Sequence, residues 1–322
     1  MSAEGGTRAI IAALTANLGI AVTKLLAWLL TGSSSMLAES IHSLADSGNQ
    51  LLLLIGGRRA QKPATPEHPF GYGRERYIYA FIVSIVLFSV GGLFALYEGY
   101  HKLQHPEAIH SWQWVPVVVL VIAIALEGYS FMTAMRETNK SRGSASLIRF
   151  IRRAKAPELP VVLLEDTAAL LGLVFALFGV ALTLLTDNGV WDGIGTLAIG
   201  LLLVVVAIFL AMETQSLLLG EGANPEDLTR IEQAITQDHG TVERIIHMKT
   251  LYLGPEELLV AAKIAVHHDD TAAKVADAID AAESRIRVAV PIARVIYLEP
   301  DIYHAGKPKT DAEEETPHGA AH

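Results

Sequence analysis

The sequence predicts a polytopic α-helical membrane protein with six transmembrane helices and a small C-terminal α+β domain. Of its 322 residues, 51% are hydrophobic and only 18% are charged, whereas soluble domains carry about 25% charged residues. Charged residues are sparse up to Glu213 and dense beyond it. We therefore expect a six-helix transmembrane domain over residues 1–213, a soluble domain over residues 214–305 and a disordered tail over residues 306–322.

Six apolar segments have roughly the 20 residues that a spanning helix needs. They cover residues 9–30, 34–57, 77–100, 114–135, 160–185 and 191–212. The first segment has no small-residue cleavage site after a short apolar core, so we interpret it as a retained helix and not as a signal peptide. The second segment is the least apolar of the six.

The loop charges predict the orientation of these helices. Basic residues are concentrated after the second and fourth segments: Arg58, Arg59, Lys62, Arg74 and Arg76, then Lys140, Arg142, Arg149, Arg152, Arg153 and Lys155. The three opposite loops are nearly free of Lys and Arg. The positive-inside rule then places both termini and the soluble domain in the cytoplasm. We expect a multi-pass protein of the cell inner (plasma) membrane.

The soluble region reads as a small α+β sandwich. Asn224 and Pro225 form an N-cap and a first helical position, and predict a helix to about Asp238. Two strands follow, over residues 242–253 and 257–266, separated by a Gly-Pro turn at Gly254. Residues 271–288 read as an amphipathic helix and residues 292–298 as a last strand.

Polar residues on the second segment indicate cation chemistry. Glu39, His42, Asp46 and Asn49 are spaced by three, four and three residues, which places them on one helical face. An ionisable side chain inside a membrane costs on the order of 2.5–3.5 kcal/mol or more, so such a stripe should line a wet or metal-filled pocket. An imidazole and a carboxylate at i and i+4 suit Zn²⁺, and also Mn²⁺, Fe²⁺ or Co²⁺.

The fifth segment carries a second acidic feature. Glu165 and Asp166 interrupt an otherwise apolar run. Beside the acidic second segment they favour a cation between the two helices, because unpaired like charges would repel and take up protons. Adjacent helical residues point about 100° apart, so Glu165 could instead contact a neighbouring helix.

Several polar residues in the apolar segments have two readings. Glu39 either reaches water near the outer end of its helix or faces the stripe. Asn49 is a ligand or an interhelical hydrogen-bond donor. Lys24 extends its ammonium to the membrane surface or pairs with an acid. Glu98 and Glu127 face the pathway or fill a packing role, and we favour packing.

Two motifs resemble those of the cation diffusion facilitator family. They are GSSSMLAESIHSLAD, from Gly32 to Asp46, and HPFGYGR, from His68 to Arg74. The resemblance covers about residues 8–300. It implies six helices, a C-terminal ferredoxin-like domain, and a homodimeric metal/proton antiporter that usually exports Zn²⁺ by alternating access. It also implies a transport site built from two residues of the second helix and two of the fifth.

The resemblance assigns this transport site residue by residue. His42 and Asp46 match the second-helix pair, and Asp166 matches the last ligand of the fifth helix. Val162 stands at the remaining ligand position and cannot bind metal. The resemblance therefore implies that Glu165 or water supplies the fourth ligand, or that the site has three protein ligands. A branch of the family shares this Glu-Asp form.

The accessory metal positions of the family are only partly present. In the loop after the second helix, His68 is kept, but Tyr72 replaces a second histidine. In the soluble domain, His247 is kept, whereas Lys263 and Tyr297 replace two ligands. A lysine ammonium has no lone pair to give. We therefore expect the binuclear cytoplasmic cluster to be missing and the domain to stabilise a dimer by packing.

The function predicted from the sequence is divalent metal cation efflux, as a Zn²⁺/H⁺ antiporter. The alternatives are a Mn²⁺, Fe²⁺ or Co²⁺ transporter of the same family, or a membrane metal sensor that does not transport. Expected partners are the metal ion, protons, the lipid bilayer and a second copy of the chain; nucleic acid and a resident cofactor are not expected. The sequence has no cysteine, no His-Glu-x-x-His motif and no Walker-type loop, so an enzyme is not predicted.

Overall fold

A computed structural model describes residues 3–142, 146–237 and 241–304. The chain divides into two compact units. The first contains the residues up to Lys62 together with Arg74–Leu218, and the second contains Pro63–Gly73 together with the residues from Leu219 on. The predicted disordered tail lies outside the described residues.

The first unit is helical. Its elements are α1 (Ala3–Thr31), α2 (Ser34–Ala60), α3 (Glu75–Val86), a π-helical segment (Leu87–Leu93), α4 (Phe94–Gln104), α5 (Trp114–Arg142), α6 (Leu147–Arg153), α7 (Glu158–Thr186) and α8 (Val190–Leu219). The third predicted segment is thus one continuous helix with a π turn inside it. The short α6 in the basic loop was not predicted; Ser146 caps it by accepting from the Arg149 amide.

Four helices among the described residues are long and apolar enough to cross a membrane. They are Glu75–Gln104, Trp114–Lys140, Glu158–Thr186 and Val190–Leu219. Within α1, Asn17–Thr31 forms a shorter apolar helix. α2 falls outside this set because its inner face is polar. The chain is therefore a membrane protein with four apolar span candidates, and the six-span arrangement stays a prediction.

The start of α2 is held by a carboxylate from α8. Asp192 accepts hydrogen bonds from the Ser34 amide at 2.7 Å, the Ser35 amide at 3.2 Å and the Ser33 hydroxyl at 2.9 Å. The first amides of a helix have no partner within the helix, and their partial positive charge favours an anion. The serine run after Gly32 therefore fixes the start of α2 against α8.

The second unit is a small sheet covered by helices, and it confirms the predicted C-terminal sheet domain. Its order is α9 (Pro225–Thr236), β1 (Val242–Gly254), β2 (Glu257–Val266), α10 (Ala272–Ala289) and β3 (Ala293–Asp301). β2 lies between an antiparallel β1 and a parallel β3. Both helices bury apolar side chains against the strands, among them Ile231 and Ile286.

Local sequence signals explain the ends of these elements. The Asn224 side chain accepts from the Asp227 amide at 2.8 Å, and Pro225 occupies the first turn of α9. Thr271 caps α10 in the same way. At the β1–β2 turn, Gly254 approaches Gly73 of the Pro63–Gly73 loop so closely that a Cβ on Gly254 would lie 2.8 Å from the Gly73 Cα. This contact places the loop in the second unit.

Candidate cation site

The polar stripe of α2 lies inside the helical bundle. Glu39 and Asn49 are 0% exposed, His42 is 1% exposed and Asp46 is 9% exposed. The opposite face of the helix carries Leu44, which is 52% exposed. The alternative in which Glu39 reaches water is therefore wrong for this structure. The predicted periodicity holds, and it places four polar side chains away from the lipid-facing surface.

The stripe carries buried polar atoms that have no hydrogen-bond partner in the described part of the chain. They are Glu39 Oε1, both ring nitrogens of His42, Asp46 Oδ1 and Asn49 Oδ1. Buried polar atoms in proteins nearly always have a partner, so a column of exceptions requires an explanation. Carboxylate oxygen, amide oxygen and imidazole nitrogen all offer lone pairs. Such a column is suited to a cation.

His42 and Asp46 face each other one helical turn apart. The distance from His42 Nε2 to Asp46 Oδ2 is 3.5 Å. Two ligands about 2.0–2.1 Å from a tetrahedral Zn²⁺ lie about 3.3 Å apart, which is close to this separation. The pair can therefore bind one ion as neighbouring ligands without a change in the α2 backbone.

The two acids of α7 are buried but face different helices. The Asn49 amide donates to Glu165 Oε1 at 2.7 Å, and the Ser130 hydroxyl of α5 donates to Asp166 Oδ2 at 3.1 Å. Glu165 therefore faces α2, whereas Asp166 faces α5. Both carboxylates interact electrostatically with Asp46. Of the two interpretations of Asn49, the structure shows the hydrogen-bond donor between helices.

A buried lysine adjoins the outer end of the stripe. Lys24 Nζ lies 2.9 Å from Glu39 Oε2 and 2.8 Å from Ser43 Oγ, and Lys24 is 1% exposed. Of the two readings for Lys24, the structure shows pairing with an acid. The other oxygen of Glu39 packs against α7, where a Cβ on Gly172 would lie 2.9 Å from it. Glu39 is thus held by α1 and α7 together.

The π-helical segment lies beside His42. A Cβ on Gly91 would be 4.0 Å from His42 Nδ1 and 3.3 Å from the Leu203 side chain of α8. π turns interrupt the regular helical ladder and are frequent at functional sites. Sequence reasoning missed this segment; the adjacent Gly91 and Gly92 were the only signal that a regular helix is weak there.

The predicted ligands do not all converge. In the part of the chain that the structure describes, no three His, Asp or Glu side chains come close enough to hold a metal ion together. His42 and Asp46 are paired, while Glu165 and Asp166 are each engaged with a neighbouring hydroxyl or amide. Ligation by residues of both helices therefore requires α2 and α7 to move closer.

The accessory positions show a different chemistry. His68 is exposed, and its ring meets the Tyr72 ring edge-on with centroids 4.6 Å apart. On the sheet, Lys263 pairs in register with His247, and its ammonium lies 3.2 Å from Glu299 Oε1 and 3.5 Å from Asp301 Oδ2. The hydrogen bond to Glu299, with the charge of both acids, raises the pKa of Lys263. A bound ammonium stands where the resemblance puts a metal ligand.

Apolar helices with a buried stripe of lone-pair donors are typical of an integral membrane protein that binds or transports cations. Residues 10–219 match the cation efflux transmembrane domain. The match covers more than half of the chain, and the chain belongs to the cation efflux, or cation diffusion facilitator, family.

Curated relatives extend this assignment. The mitochondrial proton-coupled zinc antiporter SLC30A9 of Xenopus laevis is 34% identical over 267 residues, which are 82% of this chain and 47% of that protein. Metal tolerance protein C4 of Arabidopsis thaliana is 28% identical, over 80% of this chain and 56% of its own. The cation-efflux pump FieF of Pectobacterium atrosepticum is 32% identical over 38% of this chain and 42% of its own. The matched regions thus span about half the length of these relatives.

Proposed function

We propose that the chain is a Zn²⁺/H⁺ antiporter that exports metal from the cytoplasm, with His42, Asp46, Asp166 and Glu165 as its transport site. The observation that carries this proposal is the column of unpartnered lone-pair donors on α2, buried opposite two acids on α7. The names of the SLC30A9 relatives, proton-coupled zinc antiporters, agree with it. The cation is a substrate of the protein and not a resident cofactor.

Proton coupling follows from the ligand chemistry. Metal binding requires a neutral imidazole and ionised carboxylates. Metal enters from the cytoplasm when His42 and the acids carry no proton, and α2 and α7 close on it. When the site opens to the other side, protons compete for the same atoms and release the metal. Imidazole suits this exchange because its ordinary pKa is about 6.5.

The same proposal includes the wider architecture. The six proposed spans are α1, α2, the helix Glu75–Gln104, α5, α7 and α8. In this proposal the basic loops after α2 and α5, both termini and a ferredoxin-like domain lie in the cytoplasm, and the protein is in the cell inner (plasma) membrane. The working unit is a homodimer. The protein transports a cation and catalyses no covalent reaction.

A second candidate substrate set is favoured by the donor atoms. Three of the four proposed ligands are carboxylates and only His42 offers nitrogen. Oxygen-rich sites accept Mn²⁺ and Fe²⁺ as well as Zn²⁺, because carboxylates are the harder ligands. Transport of Mn²⁺, Fe²⁺ or Co²⁺ is therefore the alternative within the family, and a metal sensor that does not transport is the alternative outside it.

Flux in proteoliposomes tests the proposal. The purified chain is reconstituted into proteoliposomes that contain a fluorescent Zn²⁺ indicator. Zn²⁺ flux under an imposed pH gradient is compared with the flux at equal pH on both sides of the membrane. We expect Zn²⁺ to move in the direction opposite to the flow of protons. Competing Mn²⁺, Fe²⁺ or Co²⁺ should slow the Zn²⁺ flux in the order in which the transporter prefers them. Zn²⁺ binding without flux would favour the metal sensor. Inhibition of Zn²⁺ flux by Mn²⁺, but not by Fe²⁺ or Co²⁺, would favour Mn²⁺ as the transported ion.

A further inference from the structure

We infer that Glu127 of α5 is a further ligand of the transport site, in addition to the residues of α2 and α7. The inference rests on the proposed function and names a third helix in the same site. Sequence reasoning favoured a packing role for Glu127, and the family's second- and fifth-helix pattern does not include it.

Glu127 lies on the inward face of α5. Buried residues recur along this helix at a helical spacing: Leu120, Ala123, Glu127, Ala134 and Thr138. Glu127 is 8% exposed. Ser130, three residues on and at the exposed edge of the same side of the helix, donates to Asp166 Oδ2 at 3.1 Å. The face of α5 that carries Glu127 is thus the face that contacts the site.

The surroundings of Glu127 are those of the transport site. α5 packs against α7 and α1, the helices that carry Asp166 and Lys24. Glu127 interacts electrostatically with Asp166, His42 and Asp46. Glu165, by contrast, accepts a hydrogen bond from Asn49 with one oxygen, and it interacts electrostatically with Asp46 and Asp166. Glu127 therefore adds a carboxylate from the α5 side of the site, whereas Glu165 adds one from the side of α2.

The cluster has a second feature that points to a cation. Among the described residues, α1, α2, α5 and α7 bury five carboxylates, on Glu39, Asp46, Glu127, Glu165 and Asp166, but only one ammonium, on Lys24. Lys24 is already engaged by Glu39 and Ser43. His42, 1% exposed, presents two nitrogens without hydrogen-bond partners to this acidic group. A divalent ion bound by the transport site together with Glu127 supplies the positive charge that Lys24 cannot.

The test compares Glu127 with a natural match in the same chain. Glu98 and Glu127 both stand in a Glu-Gly-Tyr sequence on an apolar helix, but Glu98 is on α4. Zn²⁺ affinity is measured by calorimetry on the full chain in detergent, for Glu127→Gln, Glu165→Gln and Glu98→Gln. We expect Glu127→Gln to weaken binding by about tenfold or more, as loss of a metal ligand or its close support does, and Glu98→Gln to leave it unchanged.

A second substitution separates ligation from folding. Glu127→His replaces one metal ligand by another of different shape, so it should bind Zn²⁺ far more tightly than the isosteric Glu127→Gln. A packing role gives the opposite order, with Glu127→Gln closer to the wild type. Wild-type affinity in Glu127→Gln, with binding lost in Asp46→Ala, would overturn the inference and leave the proposed function standing. Absence of binding in the wild-type chain would instead contradict the proposed function.

Discussion

The Asn49 amide donates to Oε1 of Glu165 at 2.7 Å, from the middle of α2 to the first half of α7. Both residues are buried, so the hydrogen bond forms between helices where water cannot replace it. It holds one of the two α7 acids in place beside the polar stripe. α2 and α7 are therefore joined by a specific polar contact one turn away from Asp46.

Removal of this contact should destabilise the helical unit. Asn49→Ala leaves a buried carboxylate without its donor, which costs about 1–3 kcal/mol. Thermal unfolding of the purified full chain, for Asn49→Ala, Glu165→Ala and the double variant, measures the coupling. We expect the double variant to be less destabilised than the sum of the two single variants. Strict additivity would show that the two side chains do not interact.

The Lys24–Glu39 pair gives a sharper stability prediction. Lys24→Met leaves the Glu39 carboxylate buried without its cation, and breaking a buried ion pair in this way costs about 3–5 kcal/mol. Lys24→Met with Glu39→Gln removes both charges and should recover most of that loss. Unfolding in detergent of the two variants checks the order. A double variant less stable than Lys24→Met would contradict the pairing.

Val162→His tests the register of α7 in the site. Position 162 is one turn before Asp166 on the same helical face, so an imidazole there adds a ligand that the chain lacks. We expect a higher Zn²⁺ affinity by calorimetry. Val174→His, at a partly exposed position of the same helix, is the matched control and should change nothing. Unchanged affinity in Val162→His would mean that α7 meets α2 in another register.

The stability of the C-terminal sheet domain should depend on pH through Asp270. The hydrogen bond from Lys274 lowers the pKa of Asp270. An acid whose pKa is lower in the folded state stabilises the fold above its unfolded pKa of about 3.9, and this contribution disappears as the pH falls through the folded value. Asp270→Asn should therefore destabilise the domain at neutral pH and much less at low pH.

Amide hydrogen exchange in α10 and β2, for wild type and Asp270→Asn at the same pH, measures this difference. We expect the two proteins to differ in exchange rate at pH 7 and to differ less at acidic pH. An equal gap at both pH values would show that the Lys274 contact does not depend on the charge of Asp270.

Periodicity and capping residues predicted much of this structure. The spacing of Glu39, His42, Asp46 and Asn49 predicted one buried face, because residues three and four apart share a side of any helix. Asn224 predicted the start of α9, because its side chain satisfies an amide that a helix leaves free. These features depend on a few neighbouring residues only.

Features that depend on a second element were not predictable in the same way. Lys24 could reach several acids, and only the packing of α1 on α2 selects Glu39. The π segment Leu87–Leu93 follows from tertiary packing and has no sequence period of its own. The loop Pro63–Gly73 joins the sheet unit through Gly73 and Gly254, which are far apart in the sequence. The role of Glu127 could be inferred only from a tertiary contact, the hydrogen bond from Ser130 to Asp166.

The most direct test of the account is Zn²⁺ flux driven by a pH gradient in proteoliposomes containing Asp46→Ala or Asp166→Ala. Each variant removes one carboxylate of the proposed transport site, and Asp269→Ala, at a fully exposed position of the sheet domain, is the matched control. We predict that both site variants lose the flux and that the control retains it. Wild-type flux in both Asp46→Ala and Asp166→Ala would contradict the assignment of this site.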